Sequence, residues 1–187
     1  MSIRMLCIDD SLDSIVITKR VLERAKGAYQ IDSASNGQEG LSKLRLQSYD
    51  LILCDYRLPG MSGVDVLQQL KVEGRDVPVV IVTAAGSERV AVEAMKVGAY
   101  DYVVKDALYE ELLPSVIERT LERHREKQER KRMESERDEA LATLQREKAA
   151  LQHINAIMMD REGRILELKQ EVNALLEALC KPKKYQV

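Results

Sequence analysis

A chain of 187 residues has room for one ordinary domain and an appendage, and 45% apolar residues suffice for a sizeable core. With no Trp or Phe and seven Tyr as its only aromatics, that core has to be aliphatic. Basic and acidic residues nearly balance, 29 against 31, so the composition gives no argument for nucleic acid or an anionic membrane surface as partner.

Cys7, Cys54 and Cys180 are too few and too scattered for a disulfide framework or a zinc site. The start, Met1 to Leu6, lacks a basic stretch followed by an apolar one, and no run approaches the roughly 18 apolar residues of a spanning helix. The expectation is a soluble cytoplasmic protein in a reducing compartment, without a membrane partner.

In chain order, five short runs read as strands: Ile3–Ile8, Tyr29–Ala34, Asp50–Cys54, Val77–Thr83 and Tyr100–Val104. Four are rich in Val, Ile, Leu and Tyr, as buried parallel strands are; the second is more polar and suits an edge. Amphipathic helical patterns lie between them, marked by Val16, Ile17, Val21 and Leu22, then Leu41 and Leu44. Val64, Leu67 and Leu70 mark the third, and Val90, Ala91, Ala94 and Met95 the fourth. Such alternation predicts an α/β fold, a doubly wound five-stranded parallel sheet with helices on both faces. Ser35-Asn36-Gly37 reads as the turn into the second helix, Pro59–Gly63 as a loop, and Gly98 as a helix C-cap.

Beyond about residue 118 charge dominates, and Gly163 is the only glycine. We therefore expect a compact domain over 1–120 and a charged helical, coiled-coil-like extension over 121–187. Pro114 belongs in the first turn of a helix, which places the start of the last helix near Glu110–Leu113. From Glu118 to Glu139 the mixed Glu, Arg and Lys predict a solvated helix held by i,i+4 pairs. Arg130-Lys131-Arg132 is flanked by acids, which argues against nucleic acid there too.

Farther on, Leu144, Leu151, Met158, Ile165, Val172 and Leu179 recur every seven residues. Ala140, Ile154, Leu168 and Leu175 fill most of the second core position, which Glu147 and Arg161 interrupt. This is a coiled-coil seam. A homodimer is the simplest partner for it, and an antiparallel hairpin turning at Asp160–Gly163 is the rival. His124 and His153 read as solvent-exposed helix residues rather than phospho-relay sites.

Ligands of an open α/β sheet bind beyond the C-terminal strand ends. There the sequence places Asp9 and Asp10, Asp55, Thr83 and Lys105, in order. An Asp after a strand is as readily a helix N-cap, and a lone Thr or Lys says little, but capping does not account for all five positions. Carboxylates held together repel unless a cation joins them, and Mg²⁺ suits all-oxygen ligation by carboxylates, water and phosphate. One carboxylate could then attack phosphorus, with the ammonium stabilising the transferring oxygens.

These residues resemble the receiver domain of two-component response regulators over about residues 1–121. The matching pieces are Leu6–Asp10, Leu51–Asp55, Leu58–Gly63, Val80–Ala84 and Tyr102–Lys105. The resemblance implies a flavodoxin-like sheet of strand order 2-1-3-4-5. It implies Asp55 as phosphoacceptor, and Asp9, Asp10, Asp55 and the backbone carbonyl of Arg57 as Mg²⁺ ligands. Thr83 and Tyr102 become the switch pair, and Lys105 the phosphate-contacting lysine. The implied partner is a sensor histidine kinase or phosphotransfer protein, and the domain is no enzyme beyond self-phosphorylation from small donors and self-dephosphorylation. Where many receivers have Lys-Pro, this chain has Lys105-Asp106, and Asp106 is expected to start the turn into the last helix.

Three other readings differ in class. A haloacid-dehalogenase-like phosphohydrolase would favour Asp-x-Asp, where this chain has adjacent Asp9-Asp10. A coiled-coil adaptor would be silent to phosphorylation. A regulatory fragment of a larger sensor histidine kinase is the third, since Glu167-Leu168-Lys169 and Glu171-Val172-Asn173 resemble the connectors before kinase cores.

Overall fold

The first apolar run forms β1 (Ile3–Ile8), in which Met5, Leu6 and Ile8 are fully buried. A strand buried this deeply needs a neighbour on each edge to satisfy its backbone N–H and C=O groups. β2 (Tyr29–Ala34) and β3 (Leu51–Asp55) supply them, each parallel to β1. β4 (Val79–Ala84) pairs with β3, and β5 (Asp101–Lys105) with β4, again in parallel. The computed structural model, which describes residues 2–25, 27–84, 88–179 and 182–184, thus has a single five-stranded sheet of order 2-1-3-4-5 among those residues, with a two-residue ribbon (Arg57–Leu58 with Met61–Ser62) beside it. The polar second strand lies on an edge, as its composition requires.

The strands after β2 run one or two residues later than the apolar runs predict: β3 takes in Asp55, β4 starts at Val79 and β5 ends on Lys105. Hydrophobicity marks where a strand is buried, while the ladder of backbone hydrogen bonds continues into the polar residues that form the rim.

Alternation along the strands divides the core into two layers. Leu6, Ile8, Ile52, Cys54 and Ile81 pack under α2 (Gly37–Leu46), α3 (Gly63–Val72) and α4 (Glu88–Val97), through residues such as Leu44, Leu67 and Ala94. Met5, Cys7, Leu53, Val80 and Val82 pack on the other face under α1 (Leu12–Arg24) and the first turns of α5 (Tyr109–Ala178), through Leu22, Leu113 and Ile117. Helices therefore cover both faces of the sheet.

Local signals start and stop these helices. Asn36 caps α2 by accepting from the Glu39 N–H at 2.9 Å, while Glu39 accepts from the Ser35 N–H at 2.8 Å. At α3, Ser62 and Asp65 form a full capping box, the side chain of each accepting from the other's backbone N–H. Gly98 ends α4 with φ +97°, a left-handed conformation that a side chain would strain.

Asp106 opens the turn into α5 with its carboxylate on the Leu108 N–H (2.9 Å), and the Tyr109 hydroxyl is hydrogen-bonded to Thr18 at 2.9 Å inside the core. The helix begins at Tyr109, which puts Pro114 one turn deeper than expected. Pro114 leaves the Glu110 carbonyl without its helical donor. The packing of Leu113, Val116 and Ile117 and the Tyr109–Thr18 bond hold the turn helical despite that loss.

His124 corrects the sequence reading. It is half-buried, with its ring edge-on to Tyr100 (centroids 5.4 Å apart) and its Nδ1 2.8 Å from the Tyr100 hydroxyl. The chain divides into two compact units, Met1–Glu129 and Arg130–Val187. In the second, the helix runs through Gly163 without a break, so no hairpin turns at Asp160–Gly163. A single glycine costs about 1 kcal/mol in a helix, too little to end one. Among the described residues no helix is long and apolar enough to cross a membrane.

Candidate functional site

The ladder positions of the rim residues follow from register. Ile8 lies opposite Cys54, so the residues that follow them, Asp9 and Asp55, emerge side by side from adjacent strands. Asp55 is level with Val82, and Lys105 with Ala84, which brings the end of β5 over the same point. Oxygens of Asp9, Asp10 and Asp55 lie within 4.8 Å of one another. The Lys105 ammonium spans two of them, 2.7 Å from Asp9 Oδ2 and 2.6 Å from Asp55 Oδ2. Burial acts to lower the Lys105 pKa, but the hydrogen bonds to Asp55 and Asp9 outweigh it and leave it above the usual lysine value.

Burial grades the three acids. Asp9 is 4% exposed, Asp55 half-buried and Asp10 exposed. Asp10 is not the N-cap of α1: Ser11 takes that place, its hydroxyl accepting from the Ser14 N–H, while Asp9 Oδ1 accepts from the Ser11 N–H at 2.9 Å. The Asp10 carboxylate therefore stays at the rim. The donor set is wholly oxygen, with three carboxylates converging, and it fits a hard divalent cation such as Mg²⁺.

Thr83 is buried at the same rim, with its hydroxyl donating to the Ala84 carbonyl at 3.4 Å. Tyr102 lies away from the acids, 42% exposed, beside a groove of about 500 Å³ that it lines with Ala91, Val92, Met95 and Lys96. Arg57 lies just past Asp55, and its N–H donates to Asp55 Oδ1 at 3.2 Å.

The two thiols under the rim are inert. Burial, then the Asp9 charge, pushes Cys7 up to about 12; burial and the Asp55 charge push Cys54 higher still.

Gly63 is a site residue that the sequence reading took only as part of a loop. A Cβ there would lie 2.5 Å from the Asp55 backbone carbonyl oxygen and 3.2 Å from the buried Cys54 Sγ. Gly63→Ala should destabilise the domain by about 1–3 kcal/mol, as overpacking against backbone does, and shift Asp55. A thermal melt reads the first effect and the yield of phospholabel the second; an unchanged melt would mean that the loop yields instead.

The family model for the response regulator receiver domain matches residues 5–118. The chain belongs to that family. Over 108 residues this receiver is 38% identical to the transcriptional regulatory protein ZraR of Klebsiella oxytoca, covering 58% of the chain and 24% of ZraR. It is 36% identical over 102 residues to the transcriptional regulatory protein ResD of Bacillus subtilis, covering 54% of the chain and 41% of ResD. Among solved structures it resembles a receiver domain protein from Clostridium thermocellum, with a TM-score of 0.58 and 29% identity, over 66% of this chain and 97% of that one. The chain spans about a quarter of the ZraR length and two-fifths of ResD. The receiver of a response regulator is a signalling domain of two-component systems, and the matched span takes in every residue of the rim.

Proposed function

We propose that Asp55 accepts a phosphoryl group from a phosphohistidine on a sensor histidine kinase or phosphotransfer protein. A carboxylate oxygen of Asp55 attacks phosphorus, the P–N bond breaks, and the imidazole nitrogen leaves with the bonding pair. The product is an aspartyl phosphate. The observation that carries this reading is Lys105, whose ammonium bridges Asp9 and Asp55 at 2.7 and 2.6 Å, where charge on the transferring oxygens would develop.

Asp9, Asp10, Asp55 and the Arg57 carbonyl would hold Mg²⁺, which when bound supplies positive charge to the phosphoryl oxygens. Lys105 then contacts the phosphate, and the Thr83 hydroxyl turns from Ala84 to donate to it. Tyr102 moves inward into the space that Thr83 vacates, a two-state rearrangement of the groove beside α4. The receiver occupies 1–120. The extension over 121–187 dimerises through its coiled-coil seam and carries the change onward. Arg130 and Arg132 pair with Glu134 (4.0 Å) and Glu136 (2.9 Å), which supports a solvated helix face there over a nucleic-acid site. The setting is cytoplasmic.

Acetyl phosphate with Mg²⁺ should add a single hydroxylamine-labile phosphoryl group, seen by intact-mass spectrometry. Chelating the metal should suppress the labelling by at least about tenfold, given the share of charge stabilisation assigned to it. Labelling that proceeds equally well in chelator would count against the reading.

A further inference from the structure

Within the unit Arg130–Val187, the helix leaves its seam uncovered: Leu144, Leu151, Met158, Ile165, Val172 and Leu179 are 36% to 67% exposed. The chain end does return to this helix, but on another side. The Lys184 N–H donates to Asn173 Oδ1 at 3.1 Å, and Lys183 pairs with Glu177 at 3.5 Å. At 100° per residue, Asn173 and Glu177 point away from the Val172 and Leu168 stripe, so the returning segment leaves the seam open.

Two polar residues fall within that stripe, Glu147 and Arg161. Among the described residues neither has a hydrogen-bond or ion-pair partner in its own chain, and the same is true of Lys148 and Glu162, which flank the seam. Resting on the reading that the extension self-associates, we propose that its occupant is a second copy of this helix running antiparallel, with the two-fold axis at Ala156.

The charges select this arrangement. In a parallel, in-register pair Glu147 meets Glu147, Arg161 meets Arg161, and Arg164 faces Lys169 across the flank, which is repulsive in all three places. In the antiparallel pair a core residue of one series faces the other series. Leu144 then lies against Leu168 of the second copy, Ile154 against Met158 and Ala140 against Val172, so apolar residues meet on both sides of the axis. Glu147 of one copy and Arg161 of the other occupy neighbouring layers, about 6 Å apart along the axis, within reach of one another. Lys148 faces Glu162 of the second copy, twice by symmetry. Slipping the register by one heptad either way replaces these pairs with Glu136 against Glu171, or Lys148 against Lys169. One antiparallel register satisfies the charges.

Cross-linking of the full chain tests this, with Cys180 replaced by Ala and with Cys7 and Cys54 left in place because they are buried. A mixture of Leu144→Cys and Leu168→Cys chains should form a disulfide-linked dimer under mild oxidant, while either variant alone should not. Self-linking of each variant alone would overturn the antiparallel arrangement and leave dimerisation standing. A monomer in sedimentation equilibrium of the unaltered chain would instead sink the self-association reading itself. Lys148→Glu should weaken the dimer by roughly tenfold, and Glu162→Lys added to the same chain should restore it, from two flanking pairs turned from attractive to repulsive. A dissociation constant indifferent to Lys148→Glu would rule out this register.

Discussion

Asp55→Asn should abolish phospholabelling by acetyl phosphate while leaving the receiver folded. The amide keeps the shape of the carboxylate and can still accept from the Lys105 ammonium through its oxygen, so the bond at 2.6 Å is weakened rather than lost. An ion pair becomes a hydrogen bond from a cation to a neutral amide, a loss of about 1 kcal/mol. The nucleophile disappears altogether. Asp9 cannot take its place, because at 4% exposure it leaves no open line for an attack on phosphorus, and its Oδ1 is held by the Ser11 N–H. Asp10 is open to solvent but has no bond to Lys105, so the ammonium that would steady the transferring oxygens lies with its neighbours. Mass spectrometry of the variant decides it. Label retained at the level of the unaltered chain would locate the acceptor on another residue.

The rim is legible in the sequence because each of its members ends or follows a strand, and apolar runs announce strand ends to within a residue or two. Asp55 and Lys105 close β3 and β5, Thr83 is one residue from the end of β4, and Asp9 and Asp10 follow β1. Tyr102 stood apart in both readings, since its place as a switch came from resemblance and its observed position is a surface groove. Contacts made across the sequence were not legible. Gly63 looked like any glycine of a turn, yet it is required because the Asp55 carbonyl approaches it, a fact of packing between β3 and α3. His124 looked like one polar residue on a charged helix, and only the fold brings Tyr100 to its ring. Pro114 was misplaced by a turn because local propensity ranks below the burial of Leu113 and Ile117. The antiparallel seam proposed above lies between these cases. Its charges are printed in the sequence, but the seam becomes a usable surface only because the helix continues through Gly163 and the returning chain end sits elsewhere.

Lys105→Met carries the second large effect, and it separates a structural from a chemical role for the same ammonium. Methionine nearly fills the volume of the lysine stem, so packing is kept and the charge alone is removed. Without divalent metal, Asp9 and Asp55 then face each other with no counter-charge, their side chains 5% and 14% exposed. Removing one partner of a buried pair strands the other charge, so the melt should fall by about 3 kcal/mol, roughly 10 °C for a domain of this size. Adding Mg²⁺ should recover more stability in the variant than in the unaltered chain, because there the cation relieves a repulsion that Lys105 otherwise neutralises. Transfer should not recover with it. The charge lost at the phosphoryl oxygens is a different one, and its absence should slow labelling by about 10²–10³-fold even at saturating metal. Stability restored by Mg²⁺ together with labelling at the unaltered rate would assign Lys105 to neutralising the acids and nothing more. Slow labelling with stability restored would place its ammonium on the phosphate, because only the transferring oxygens distinguish the two conditions.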